Sequence, residues 1–111
     1  MIEIITRDYL KSIFDEEVYL AVPAKPPVKY IVVEKTGANE ANHIKTATLA
    51  VQSYAATMYE AMELSARVVN AMKNMITLGE ISSVNAHDYN YTDTATKQYR
   101  YQATCEVVYF E

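Results

Sequence analysis

The side chains able to carry chemistry are few, and their spacing keeps them apart. Histidine occurs twice, at His43 and His87, and cysteine once, at Cys105. A structural or catalytic zinc site needs three or four donors converging on one point. His43 falls in a polar turn-like stretch, far along the chain from the cysteine. His87 is followed by Asp88, but adjacent strand residues point to opposite faces, so these two cannot act as a pair. Cys105 lies in an alternating strand pattern and reads as a small core residue. The two glycines, Gly37 and Gly79, are too few and too distant for a phosphate-cradling loop. Neither a G-x-S-x-G elbow nor an H-E-x-x-H helix occurs. The run Asp15-Glu16-Glu17 reads as a solvated helix exit and not as a cation site. The expectation is therefore a non-enzymatic protein with no catalytic residue, cofactor or metal.

Tyrosine is the unusual residue. There are ten, against two phenylalanines and no tryptophan. A tyrosine offers a large apolar ring with a polar tip, which suits strands and half-wet contact surfaces. The chain has 111 residues, half of them hydrophobic, a net charge of −4 and no basic patch. That describes one globular domain spanning 1–111 and argues against tight nucleic-acid binding. One cysteine permits no internal disulfide. The N-terminal MIEIITRDYL is unlike a secretory signal, and no stretch approaches the roughly 20 apolar residues of a membrane span, so a cytoplasmic, membrane-free protein is expected.

These groups must be carried by a modest set of elements. Ile2, Ile5, Tyr9, Leu10 and Ile13 fall at helical spacing and predict a short first helix over 2–14. Val18, Leu20 and Val22 alternate and predict a strand, ended by Pro23, Pro26 and Pro27. Residues 29–36 form a second strand, with Gly37-Ala38-Asn39 as a turn signal. Residues 43–54 form a third, joined to the second antiparallel across a polar 37–42 loop. The clearest helix runs from Met58 to Ile76, with apolar residues at i, i+3, i+4 and i+7. Thr57 and Glu60 make a capping box, Glu63 and Arg67 an i,i+4 pair, and Gly79 a left-handed exit. Strands over 81–92 and 97–110 close the chain as a hairpin across Asp93-Thr94-Ala95-Thr96. The fold class is α+β: a two-layer sandwich with a short N-terminal helix and a mainly antiparallel sheet of about five strands. One long amphipathic helix covers that sheet, in the order α-β-β-β-α-β-β.

VYLAVPAKPPVKYIVVEKTG, the strand HIKTATLAVQSYA and the helix MYEAMELSARVVNAMKNM together resemble the small tail-terminator (tail-completion) proteins of long-tailed bacteriophages. The likeness is one of element pattern over residues 17–110: a proline-rich stretch, a Y-I-V strand, a striped helix and a tyrosine-rich hairpin. It implies a structural virion protein of the tail or neck, assembled in the host cytoplasm. The family forms a homo-oligomer, a hexameric ring that caps the tail tube and stops its growth. Its expected partners are the major tail tube protein and the head connector or stopper, with DNA only in transient passage through the lumen. The exposed loops are the expected contacts: Lys25 in the 23–28 stretch, Gly37, Asn39, Glu40 and Asn42 in one loop, and Asp93, Thr94 and Lys97 in another. Two other readings fit the same pattern. One is a different head–tail connector (stopper or head-completion) component. The other is a small ligand-binding or dimerisation module with a pocket lined by Tyr89, Tyr91, Tyr99 and Tyr101.

Overall fold

Apolar periodicity of 3.6 and 2.0 residues sorts the chain into helices and strands whose apolar sides must meet. A computed structural model, which describes residues 1–110, shows how they do. Helix α1 (Ile2–Ile13) and helix α2 (Met58–Lys73) lie on one face of a five-stranded sheet. The strands are β1 (Glu17–Tyr19), β2 (Tyr30–Ala41), β3 (Ile44–Ala55), β4 (Ile81–Asn90) and β5 (Tyr99–Tyr109). Their spatial order is β1-β2-β3-β5-β4; only the β1–β2 pair is parallel. This is the expected α+β two-layer arrangement in the expected element order.

The core forms between α2 and the inward faces of the central strands. Ala47, Leu49 and Val51 of β3 pair with Val107, Cys105 and Ala103 of β5. All six are fully buried, as are Leu64, Val68 and Met72 of α2 opposite them. α2 starts because the Thr57 hydroxyl accepts from the Glu60 backbone N–H at 3.1 Å, satisfying one orphan donor. It does not stop at a left-handed glycine. The chain tightens into a 3-10 turn over Asn74–Thr77, and neither Gly79 nor Gly37 has positive φ.

Three further expectations are corrected. α1 buries Ile2, Thr6 and Leu10, four residues apart, and its C-cap Phe14 is buried beyond them, while Ile13 is exposed and Ile5 and Tyr9 are half-buried. The first strand ends at Tyr19; Leu20 and Val22 are exposed. The supposed 37–42 loop is mostly strand. β2 absorbs its Gly-containing segment as a bulge between Lys35 and Gly37 and pairs on to Ala41↔Ile44. The turn is the two-residue step Asn42-His43, with φ of 53° and 67°. A two-residue hairpin needs positive φ at both positions to match strand twist. Asparagine tolerates that conformation; histidine does so less readily.

Glycine therefore stands where none is needed and is missing where it fits. A Cβ at Gly79 meets nothing within 4 Å. Gly79→Ala is expected to raise unfolding stability by about 0.4–1 kcal/mol through the unfolded chain. His43→Gly is expected to raise it by up to about 1 kcal/mol by relieving the turn. Urea titration followed by circular dichroism checks both, and a loss of stability in either variant contradicts the assigned backbone.

Candidate functional site

Strand pairing distributes the expected contact residues over the two ends of the sheet. β3 runs from Lys45, opposite Tyr109, to Ala55, opposite Tyr99. That is about 33 Å of strand at 3.3 Å per residue. Gly37, Asn39 and Glu40 lie on β2 near one end, and Asn42 is at the hairpin tip there. Asp93, Thr94 and Lys97 lie in the β4–β5 turn at the other end. Lys25 sits in the exposed return from Tyr19 to Tyr30, which reaches β2 at that second end. The eight residues form two clusters, not one site.

The β4–β5 turn is built by its own side chains. Asp93 Oδ1 accepts from the Ala95 N–H at 3.0 Å, and Asn90 Oδ1 accepts from the Thr92 N–H at 3.0 Å. A hydrogen bond from the Thr96 side chain, then that from the Ala95 amide, holds the Asp93 carboxyl below its ordinary pKa. Lys97 closes the turn with φ of 54°. Met58, Asn90, Thr92, Thr94, Lys97 and Tyr99 line a shallow cleft of about 280 Å³ beneath it.

A different constellation lies on the sheet face turned away from the helices. Register sets Tyr30, Tyr54, Arg100 and Tyr91 in one cross-strand row, and Val32, Gln52, Gln102 and Tyr89 in the next. The Tyr30 and Tyr54 rings stack at 4.4 Å with 4° between planes, and Tyr19 meets Tyr30 edge-on at 6.0 Å. The Arg100 guanidinium lies 4.6 Å from the Tyr91 ring centre and 5.7 Å from that of Tyr54. It donates to the Tyr91 carbonyl at 2.8 Å and to the Tyr54 hydroxyl at 3.1 Å. The Tyr54 hydroxyl donates to Gln52 Oε1 at 2.9 Å, and Gln52 Nε2 donates to Gln102 Oε1 at 3.0 Å. Gln102 Nε2 then donates to the Tyr89 hydroxyl at 2.7 Å. Tyr30 and Tyr54 are buried, whereas Tyr89 and Tyr91 are exposed at the β4 edge. The network is a rigid polar-aromatic platform that opens outward at its β4 end.

The same register corrects the idea of a pocket lined by Tyr89, Tyr91, Tyr99 and Tyr101. Tyr89 pairs with Gln102 and faces outward, while Tyr101 pairs with Asn90 and faces the helices, with Tyr99 two residues away on the same side. His87 and Asp88 part in the same way. His87 faces outward opposite Thr104, and Asp88 turns in to accept from the Ser65 hydroxyl at 2.8 Å. Burial pushes the Cys105 thiol pKa up to about 12, so it stays protonated in the core. Among the described residues no three His, Cys, Asp or Glu side chains converge as a metal site. No protein-family model matches this chain, and no curated protein matches it in sequence.

One acidic residue has a structural task. Glu16, in the exit from α1, takes Arg67 of α2 at 2.8 Å and Lys29 at 3.5 Å. Arg67 also holds Glu63 at 2.8 Å, the expected i,i+4 pair, and lies 5.4 Å from the Phe14 ring centre. The Arg67 hydrogen bond is the largest influence on Glu16 and lowers its pKa below the ordinary 4.5, against the opposing effect of burial. A carboxylate with depressed folded pKa contributes stability above its unfolded pKa and loses it as pH falls through the folded value. Glu16→Gln is therefore expected to flatten the acid limb of a stability profile measured from about pH 6 to about pH 2. An unchanged acid limb contradicts the clamp. In the platform, Tyr54→Phe removes the hydroxyl shared by Gln52 and Arg100. It is expected to cost about 1 kcal/mol in urea unfolding, and no loss means the network is not coupled to folding.

Proposed function

We propose that this chain is a structural virion subunit of the tail-terminator type, a ring-forming cap that ends the tail tube and receives the head connector. The observation that carries the reading is the two-ended placement of the exposed turns. Asn42-His43 marks one end of a sheet about 33 Å long, and Asp93–Lys97 marks the other. A part that joins two different structures needs a contact surface at each end and a stiff body between them. The central β3–β5 pair, buried under α2 on one face and tied by the Tyr54–Gln52–Gln102–Tyr89 network on the other, supplies that body. Loops carried by such a scaffold are the usual seats of recognition.

Charge suits the passage of DNA through such a ring. The uncovered face carries the carboxylates of Glu34 and Glu106 against the guanidinium of Arg100, beside the neutral Thr48, Gln52, Gln102 and Thr104. An acidic lumen repels phosphates and lets the genome slide. The element pattern stated above, from the proline-rich return to the tyrosine-rich hairpin, supports the same assignment.

The test is light-scattering mass across a concentration series, then negative-stain imaging with purified tail tubes and with connectors. A particle of about 76 kDa, six copies of 12.6 kDa, with density on one tube end, is the expected result. Rings that bind connectors but ignore tubes assign the chain to the stopper role. A compact dimer that binds neither overturns the virion reading.

A further inference from the structure

The sheet has two open edges. β4 pairs with β5 on one side and with no described strand on the other. β1 covers β2 only at Tyr30–Val32, so one side of β2 is open from Val33 to Ala41. An open edge presents unpaired N–H and C=O groups, and natural sheets blunt it with lysine, proline or a covering segment. β4, with the sequence ISSVNAHDYN, has no lysine, arginine or proline, and its one carboxylate, Asp88, is turned in to Ser65.

The two edges complement each other in direction. β2 and β5 run one way, and β3 and β4 the other. A β4 strand brought to the β2 edge of a second copy, with helices kept on the same face, arrives antiparallel. It extends the alternation already present from β2 to β4. The open run of β2 and the ten residues of β4 are closely matched in length. β1 blocks Tyr30–Val32 and so stops the incoming strand at a defined point.

The helical layer is open on the same side. The Ser65–Asp88 bond identifies the flank of α2 that faces β4. Beside it Tyr59, Met62, Ala66 and Val69 recur at spacings of three, four and three residues, the period of a helix-packing seam, and Ile76 follows in the 3-10 turn. Tyr59, Met62 and Ile76 are exposed. α1, which lies over β1 and β2 on the other side of the molecule, is the element a second copy would bring to this flank. β5 under α2 and β2 of that copy stand two strand spacings apart, about 10 Å. That is the separation at which helices pack.

We propose that copies of this chain join edge to edge. β4 of one copy lies antiparallel along Val33–Ala41 of the next, and α1 of the next seats against the Tyr59–Met62 flank of α2. The contact is heterologous, so it closes into a ring when its rotation permits. The proposal rests on the ring-forming reading above and assigns its junction.

Proline substitution at adjacent positions tests it, because backbone N–H groups on an edge strand point alternately into and out of the sheet. Asn85→Pro and Ala86→Pro are made on β4, and Ala38→Pro and Asn39→Pro on β2. The member of each pair that keeps a native circular dichroism spectrum is used. Sedimentation then gives the mass of each. Each single-edge variant is expected to be monomeric where the unaltered chain is oligomeric. A one-to-one mixture of a β4 and a β2 variant is expected to give a dimer and nothing larger, because one intact junction remains. Met62→Glu, remote from both strands, is expected to weaken assembly at least tenfold. A β2-edge variant that still dimerises overturns the junction in favour of two-fold β4–β4 pairing. Full-size rings from both variants overturn it and leave the ring-forming reading standing. An unaltered chain that stays monomeric at every concentration and on tail tubes overturns both.

Discussion

Everything in this molecule depends on the register of β3 against its two neighbours. β3 is hydrogen-bonded over its length to β2 on one side and to β5 on the other. Side chains alternate along a strand, so a slip of one residue exchanges the two faces completely. In the observed register Ala47, Leu49, Val51 and Ser53 go under α2, and Thr48, Ala50, Gln52 and Tyr54 go to the opposite face. A dry stripe from α2 rewards one choice; a hydrogen-bonded tyrosine and glutamine network rewards the same choice from behind. Both faces of the central strand thus specify a single alignment, and the flanking strands inherit it.

That double specification explains how a small sheet can carry so many tyrosines. Stacking of Tyr30 on Tyr54 adds about 0.5–1.5 kcal/mol beyond burial. Arg100 brings a charge onto two ring faces without losing its hydrogen bonds. The helix side has its own fastener. Glu16 gathers Arg67 and Lys29, so the exit of α1 is tied to α2 and to the approach to β2. A run of three acidic residues looked like mere solvated surface; the middle one is 14% exposed and bonded.

Long periodic elements were legible in the sequence because their pattern repeats over several turns or pleats. α2 with its Thr57 cap, the alternation of β3 and β5, the core position of Cys105 and the Glu63–Arg67 pair all emerged as read. Local composition misled where tertiary context overrides it. Gly37-Ala38-Asn39 has turn chemistry, yet hydrogen bonding to Thr48, Ala47 and Thr46 keeps it in β2 and moves the turn to Asn42-His43. Ile13 has the right type for a core face, but the angle of α1 buries Thr6 and Phe14 instead. The polar-aromatic platform was beyond reach from one sequence. Its residues lie on all five described strands, and only the pairing register shows that Tyr89 faces Gln102 while Tyr101 faces the helices. Of the proposed contact residues, Lys25, Asn42, Asp93, Thr94 and Lys97 lie outside the strands as read, whereas Gly37, Asn39 and Glu40 belong to β2, and the division between two ends required the strand order.

β5, the last of the described strands in sequence, occupies an interior position, between β3 and β4. Pairing of Lys45 with Tyr109 spans more than half the chain. During synthesis, β2, β3 and α2 all leave the ribosome before β5, the strand that completes their sheet. Until Tyr109 emerges, the long edge of β3 lacks its partner and the α2 stripe lacks half of its floor. Sheet completion therefore waits on β5, whatever the order in which the earlier elements emerge. Position in the sheet thus makes the late strand the keystone: the earlier strands and α2 gain their shared floor only when β5 enters between β3 and β4.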